Sequence, residues 1–234
     1  MRYLRILVLG LLPFMAQSQI DMEIGVMAGA SNYFGELTED FTNLQETHAG
    51  FGVMGRLVFH PIISLESHVL SSRISGNDRY NKTYYIRNLS FSGRLTEMGL
   101  TLELNMISPS KISRGRMIRG QKIVPYLFGG VAYTMFAADV NSNDANQNYI
   151  LEPFPEANDE ATFVSLPGGA GFKFYFSSSE QVRVDLHGGL RYVLSDYFDG
   201  VSLNGQPDTN DWYIFMGMNV VYHISAGSNT CFKF

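Results

Sequence analysis

Three polar residues on one extended stretch have the types that hydrolysis needs. Ser64, Glu66 and His68 alternate with Ile63 and Leu65, and successive strand side chains point to opposite faces, so all three share one side. A Ser–His pair beside a carboxylate can in principle attack an ester. His187 supplies a further imidazole within V-R-V-D-L-H-G-G-L-R-Y. The simpler reading is that these are polar residues filling an enclosed interior. Asp196, Asp199, Asp208 and Asp211 could collect around Ca²⁺ but lack the spacing of a calcium loop, and Asp-rich turns are common. No H-E-x-x-H, P-loop, G-x-S-x-G or paired-Cys motif occurs, so neither a metal nor a cofactor is expected and no catalytic residue is assigned. The single cysteine, Cys231, allows no intrachain disulfide.

The element that must position His187 runs from Val182 to Tyr192. Val182, Val184, Leu186, Gly188, Leu190 and Tyr192 fall on one side, and Arg183, Asp185, His187, Gly189 and Arg191 on the other. A helix would mix the two sets, because it brings residues three and four apart together. A soluble sandwich would turn the charged face to water, whereas a transmembrane barrel turns its apolar face to lipid and its polar face to the lumen. Seven further segments alternate. They centre on Met22–Ser31, Ala49–His60, Ile63–Val69, Glu97–Asn105, Ile123–Ala137, Val164–Phe176 and Trp212–Ile224. The facing of Ile123–Ala137 is ambiguous by pattern, and Tyr33–Thr47, Ser71–Tyr85, Asp139–Glu160 and Asp196–Asp211 read as loops.

Eight strands of about ten residues suit a tilted membrane crossing. The connections also sort by parity. Those between strands 1–2, 3–4, 5–6 and 7–8 are long, and those between 2–3 and 6–7 are tight, as in outer-membrane barrels with long outside loops and short periplasmic turns. The start of the chain fits export. M-R-Y-L-R, an apolar run from Ile6 to Phe14 and Ala16-Gln17-Ser18 make a secretory signal peptide. The expected division is residues 1–18 as signal peptide and 19–234 as one outer-membrane barrel domain. A net charge of −5 argues against a nucleic-acid partner.

The inward faces would carry Glu23, Glu66, Glu97, Glu103 and Asp185 against Arg56, Lys173, Arg183 and Arg191. An eight-stranded barrel is just wide enough for side chains to fill, so these nine are expected to pair into a structural plug. Aromatics near strand ends (Phe172, Phe174, Phe176, Tyr192, Trp212, Tyr222) suit the interface girdles. The connection from Ser108 to Lys122 holds five of the 17 basic residues, Lys111, Arg114, Arg116, Arg119 and Lys122, and no acid. By parity it is periplasmic. It reads either as a docking surface for an acidic partner or as a solvated turn near anionic lipid head groups.

Five segments in order, S-N-Y-F-G-E-L, R-N-L-S-F, P-Y-L-F-G-G-V, P-G-G-A-G-F-K and G-L-R-Y-V-L-S-D-Y-F-D-G-V-S, resemble the PorG-like outer-membrane barrels associated with the type IX secretion system. The likeness spans the mature chain. It implies an outer-membrane barrel within the secretion machinery that contacts periplasmic ring proteins of the PorK and PorN kind, and it implies no catalytic residues. The expected function is therefore a non-enzymatic barrel, embedded in outer-membrane lipid, that anchors or docks those ring subunits. Two alternatives stand beside it. One is a barrel hydrolase acting on lipid or peptide; the other is a structural or ligand-binding barrel outside secretion.

Overall fold

A computed structural model describes residues 21–34, 46–77, 90–107, 121–141, 160–176, 181–194 and 212–224. Eight strands run in chain order: β1 (Asp21–Phe34), β2 (His48–His60), β3 (Ile63–Asn77), β4 (Ser90–Asn105), β5 (Gln121–Asn141), β6 (Glu160–Phe176), β7 (Val182–Val193) and β8 (Trp212–Ile224). Each pairs antiparallel with its neighbour, and β1 pairs with β8 from Met22↔Ile224 to Phe34↔Trp212, closing an eight-stranded barrel. Closure removes the free strand edges that an open sheet would present. No helix among the described residues is long and apolar enough to cross a membrane; the crossing is made by strands.

The barrel is inside out relative to a soluble protein. Outward positions are apolar and exposed, among them Phe51 (65 %), Val26 (58 %) and Leu100 (46 %), while Glu97 and Asp185 inside are fully buried. This is the radial sorting of a transmembrane barrel of the outer-membrane type. The expected aromatic girdles face outward: Phe176 and Tyr222 lie toward the end with the tight turns, and Tyr192 packs on Trp212 at the other end, ring centroids 4.6 Å apart. At the tight-turn end, Pro61 and Ile62 join β2 to β3, and Asn105 ties back to both, its amide donating to the Ile62 carbonyl and its Nδ2 to that of Pro61 (2.8 Å each).

Several strands outrun their sequence-based limits. β1 continues through Tyr33 to Phe34, β3 through Ser71 to Asn77, β4 begins at Ser90, β5 spans Gln121–Asn141 and β6 begins at Glu160. The segments Tyr33–Thr47, Ser71–Tyr85 and Asp139–Glu160 are thus partly strand, and the strands are longer than one bilayer crossing requires. The physical reason is an exchange of faces. Beyond the apolar band the inward residues are Tyr33, Ile74, Phe91, Leu95, Phe136, Val193 and Tyr213, one buried hydrophobic cluster, while Arg73 and Arg94 point outward, exposed. A pattern of apolar-out residues therefore stops where the barrel leaves lipid, although the strand does not. Pairing also settles the facing of β5: Val124, Tyr126, Ala132, Thr134 and Phe136 point in, and Ile123, Leu127, Val131 and Tyr133 point out.

Candidate functional site

The lumen toward the tight-turn end is an ionic cluster built around Arg56 on β2. Its register partners, Glu23 on β1 and Glu66 on β3, flank it as cross-strand neighbours on the inner face. The Arg56 guanidinium reaches four carboxylates, with Nη1 donating to Glu23 Oε2 and Asp185 Oδ2 (both 3.0 Å) and Nη2 to Glu66 Oε2 and Glu103 Oε1 (both 2.7 Å). The other cations complete the shell. Lys173 Nζ donates to Glu103 Oε2 at 2.6 Å; Arg183 donates to Glu23 Oε2 (2.5 Å) and through Nε to Asp185 Oδ1 (2.7 Å). Lys173 lies over the Tyr126 ring (4.6 Å), and Arg183 lies over Tyr175 (5.2 Å) while donating to its hydroxyl (3.2 Å). Ion pairs this dry persist only when every charge has a partner.

A second tier sits one step farther along the axis. His68 Nε2 and Glu97 Oε1 are 2.8 Å apart, and His68 Nδ1 lies 3.5 Å from Glu66, linking the tiers. Glu97 also accepts from the Tyr213 hydroxyl and lies 3.4 Å from Arg191 Nε. Tyr213 in turn contacts Thr134 Oγ1 (3.3 Å), which bonds Ser165 Oγ (3.0 Å). Room for the imidazole comes from Gly99 on β4, paired with His68: a Cβ there would lie 2.4 Å from the ring. Phe128 likewise lies over Gly169 and Gly189, where a Cβ would meet it at 2.7 Å. Tyr126, Tyr175, Tyr213 and Gly99 were not singled out from sequence, although the parity of β8 opposes Tyr213 to Ile214 and so marks it as inward.

All nine lumen residues predicted from sequence, Glu23, Arg56, Glu66, Glu97, Glu103, Lys173, Arg183, Asp185 and Arg191, are brought together and buried. The Ser64–His68 pair is not. The two residues lie four apart on one strand, about 13 Å along it, and Ser64 Oγ donates to Glu103 Oε2 at 2.9 Å rather than to the imidazole. Both side chains are buried, so neither a nucleophile–base contact nor substrate access exists there. His187 lies between Phe128 (6.0 Å) and Phe215 (5.7 Å). No group of three or more His, Cys, Asp or Glu among the described residues could hold a metal ion.

Of the basic connection, Lys122 lies in β5 opposite Tyr175. Lys111, Arg114, Arg116 and Arg119 lie outside the described residues, as do Asp196, Asp199, Asp208, Asp211 and residues 1–18. β4 ends at Asn105 and β5 begins at Gln121, both at the same end of the barrel as the Pro61–Ile62 turn.

A family model described as a domain of unknown function, DUF6089, matches residues 1–234. No curated protein sequence matches the chain. Among solved structures, the N-terminal β-barrel domain of Pseudomonas aeruginosa OprF aligns with 86 % of this chain and 97 % of its own, at 14 % identity and a TM-score of 0.45. Neisserial surface protein A aligns with 87 % of this chain and 95 % of its own at 10 % identity and a TM-score of 0.45. A major outer membrane protein of Thermus thermophilus aligns with 87 % and 99 %, at 14 % identity and a TM-score of 0.44.

Proposed function

The chain belongs to the DUF6089 family, and we propose that this member is an outer-membrane component of type IX protein secretion that acts without catalysis, docking periplasmic ring subunits of the PorK and PorN kind. The observation that carries the reading is the filled lumen: one arginine bonded to four carboxylates from four strands, with Lys173 and Arg183 closing the shell and Arg191 beside Glu97 in the next tier. A barrel plugged in this way has its work at its rims. The sequence resemblance points to secretion, and the basic stretch Lys111–Lys122, joining β4 to β5 at the tight-turn end, supplies a surface suited to an acidic periplasmic partner. Charge of one sign on a rim raises encounter rate and fixes orientation more than it adds affinity.

Affinity recovery of the tagged protein from native membranes in mild detergent tests this, with mass spectrometry of the co-purifying proteins. Ring lipoproteins are expected with the wild type, and much less of them with Arg114, Arg116 and Arg119 all reversed to Glu while the barrel stays folded. Unchanged recovery in the reversed variant would remove the docking role from this connection.

A further inference from the structure

On the outer face of β3 and β4 the register pairs read, from the tight-turn end upward, Ile63–Leu104, Leu65–Leu102, Ser67–Leu100, Val69–Met98, Ser71–Thr96, Arg73–Arg94 and Ser75–Ser92. The band is largely apolar as far as Val69–Met98, and there it ends. Arg73 and Arg94 stand ten residues above Ile63 and Leu104, which at ~3.3 Å per residue and a tilt of ~40° is about 25 Å along the membrane normal. That is the height of an outer-membrane apolar band, so both guanidinium groups lie at the level of the lipid head groups. Both side chains are exposed.

Like charges directly opposite on neighbouring strands destabilise a sheet unless something between them is negative. Among the described residues no carboxylate lies within ion-pair distance of either arginine. Asp139, paired with Ser92, is the diagonal neighbour of Arg94, about 7–8 Å away by strand geometry. Hydroxyls frame the pair on both sides, Ser71 and Thr96 below, Ser75 and Ser92 above. Ser75 Oγ is also 2.8 Å from His48 Nε2. Two planar forks with flanking hydroxyl donors make the donor set that binds a phosphate, and guanidinium is the cation best matched to it.

We propose that Arg73 and Arg94 hold a phosphate of a lipid head group in the outer leaflet. The assignment of this rim to the outer leaflet rests on the orientation in the preceding reading, with the long connections outside; the binding itself does not. Native mass spectrometry of the full-length barrel in detergent, offered diphosphorylated lipid A, tests it. Bound lipid is expected to fall about tenfold or more in R73Q/R94Q, the usual worth of hydrogen bonds to a charged group. Lipid A stripped of its phosphates is expected to bind as weakly to the wild type, and inorganic phosphate in large excess to displace little. Equal retention by the variant, equal binding of the dephosphorylated lipid, or full displacement by inorganic phosphate would each overturn the proposal. Both arginines face outward, so the variant is expected to keep its heat-modifiable mobility on a gel; if the double variant fails to fold, R94Q alone decides the matter. A loss of lipid with no ring proteins in the affinity experiment would leave the phosphate site standing and the docking reading refuted.

Discussion

The two ends of this lumen are closed by opposite chemistry. Toward the tight turns, Arg56 and its partners form a dry ionic knot; toward the long connections, Tyr33, Ile74, Phe91, Leu95, Phe136, Val193 and Tyr213 form an apolar core. The outer surface changes in the opposite sense, from apolar residues beside the knot to Arg73 and Arg94 beside the apolar core. Lipid explains the pairing. Where the outside is hydrocarbon, inward positions carry whatever polarity the chain has and must satisfy it internally. Where the outside is water, burying apolar side chains again provides the driving force. One continuous sheet thus folds as a membrane protein below and as a soluble barrel above.

The two regions should break differently. The largest effect is expected from Arg56→Met, which removes the cation shared by four buried carboxylates and leaves only Lys173 and Arg183 among them. Removing one partner of a single buried pair costs about 3–5 kcal/mol, so this variant is expected not to reach the heat-modifiable folded form at all; a normal gel shift would refute the knot as a structural centre. Next comes Phe136→Ala in the apolar core. It should lower unfolding free energy by about 3–5 kcal/mol in a urea titration followed by the single Trp212, which packs on Tyr192 at that end.

Gly99→Ala sharpens the boundary between the tiers. Its methyl would sit 2.4 Å from the His68 ring, so His68 must leave Glu97, with an expected loss of about 1–3 kcal/mol. Combined with His68→Ala it should cost less than the sum of the two changes, because the clash has gone; strict additivity would argue against this packing. The smallest effect is expected from salt. Pairs shielded from solvent are barely screened, so the urea midpoint should move little between low and moderate ionic strength. A marked fall would show that water reaches the knot.

Much of this arrangement is legible residue by residue. In β7 a period of two separates Arg183, Asp185, His187 and Arg191 from Val182, Leu186 and Leu190, and the burial follows it position by position. The signal is strong because lipid tolerates no charge on the outer face through this stretch. β5 is not legible, since aromatics and glycines occupy both of its faces and either suits a lumen or a lipid boundary. The outer part of β3 reads as loop, and that of β4 carries no strand assignment, for a different reason: alternation persists there, but the inward parity is now the apolar one.

Local alternation therefore determined, from sequence alone, that the chain forms strands, how many, and which charges point inward, because side-chain direction in a strand depends only on position along it. The tertiary structure decided who meets whom. Glu23 and Arg183 are 160 residues apart and Arg56 and Asp185 are 129 apart, and only closure of β1 on β8 brings them into one shell. It also decided where the faces exchange polarity. That limit is set by the height of each residue against the surrounding lipid, which no single strand contains.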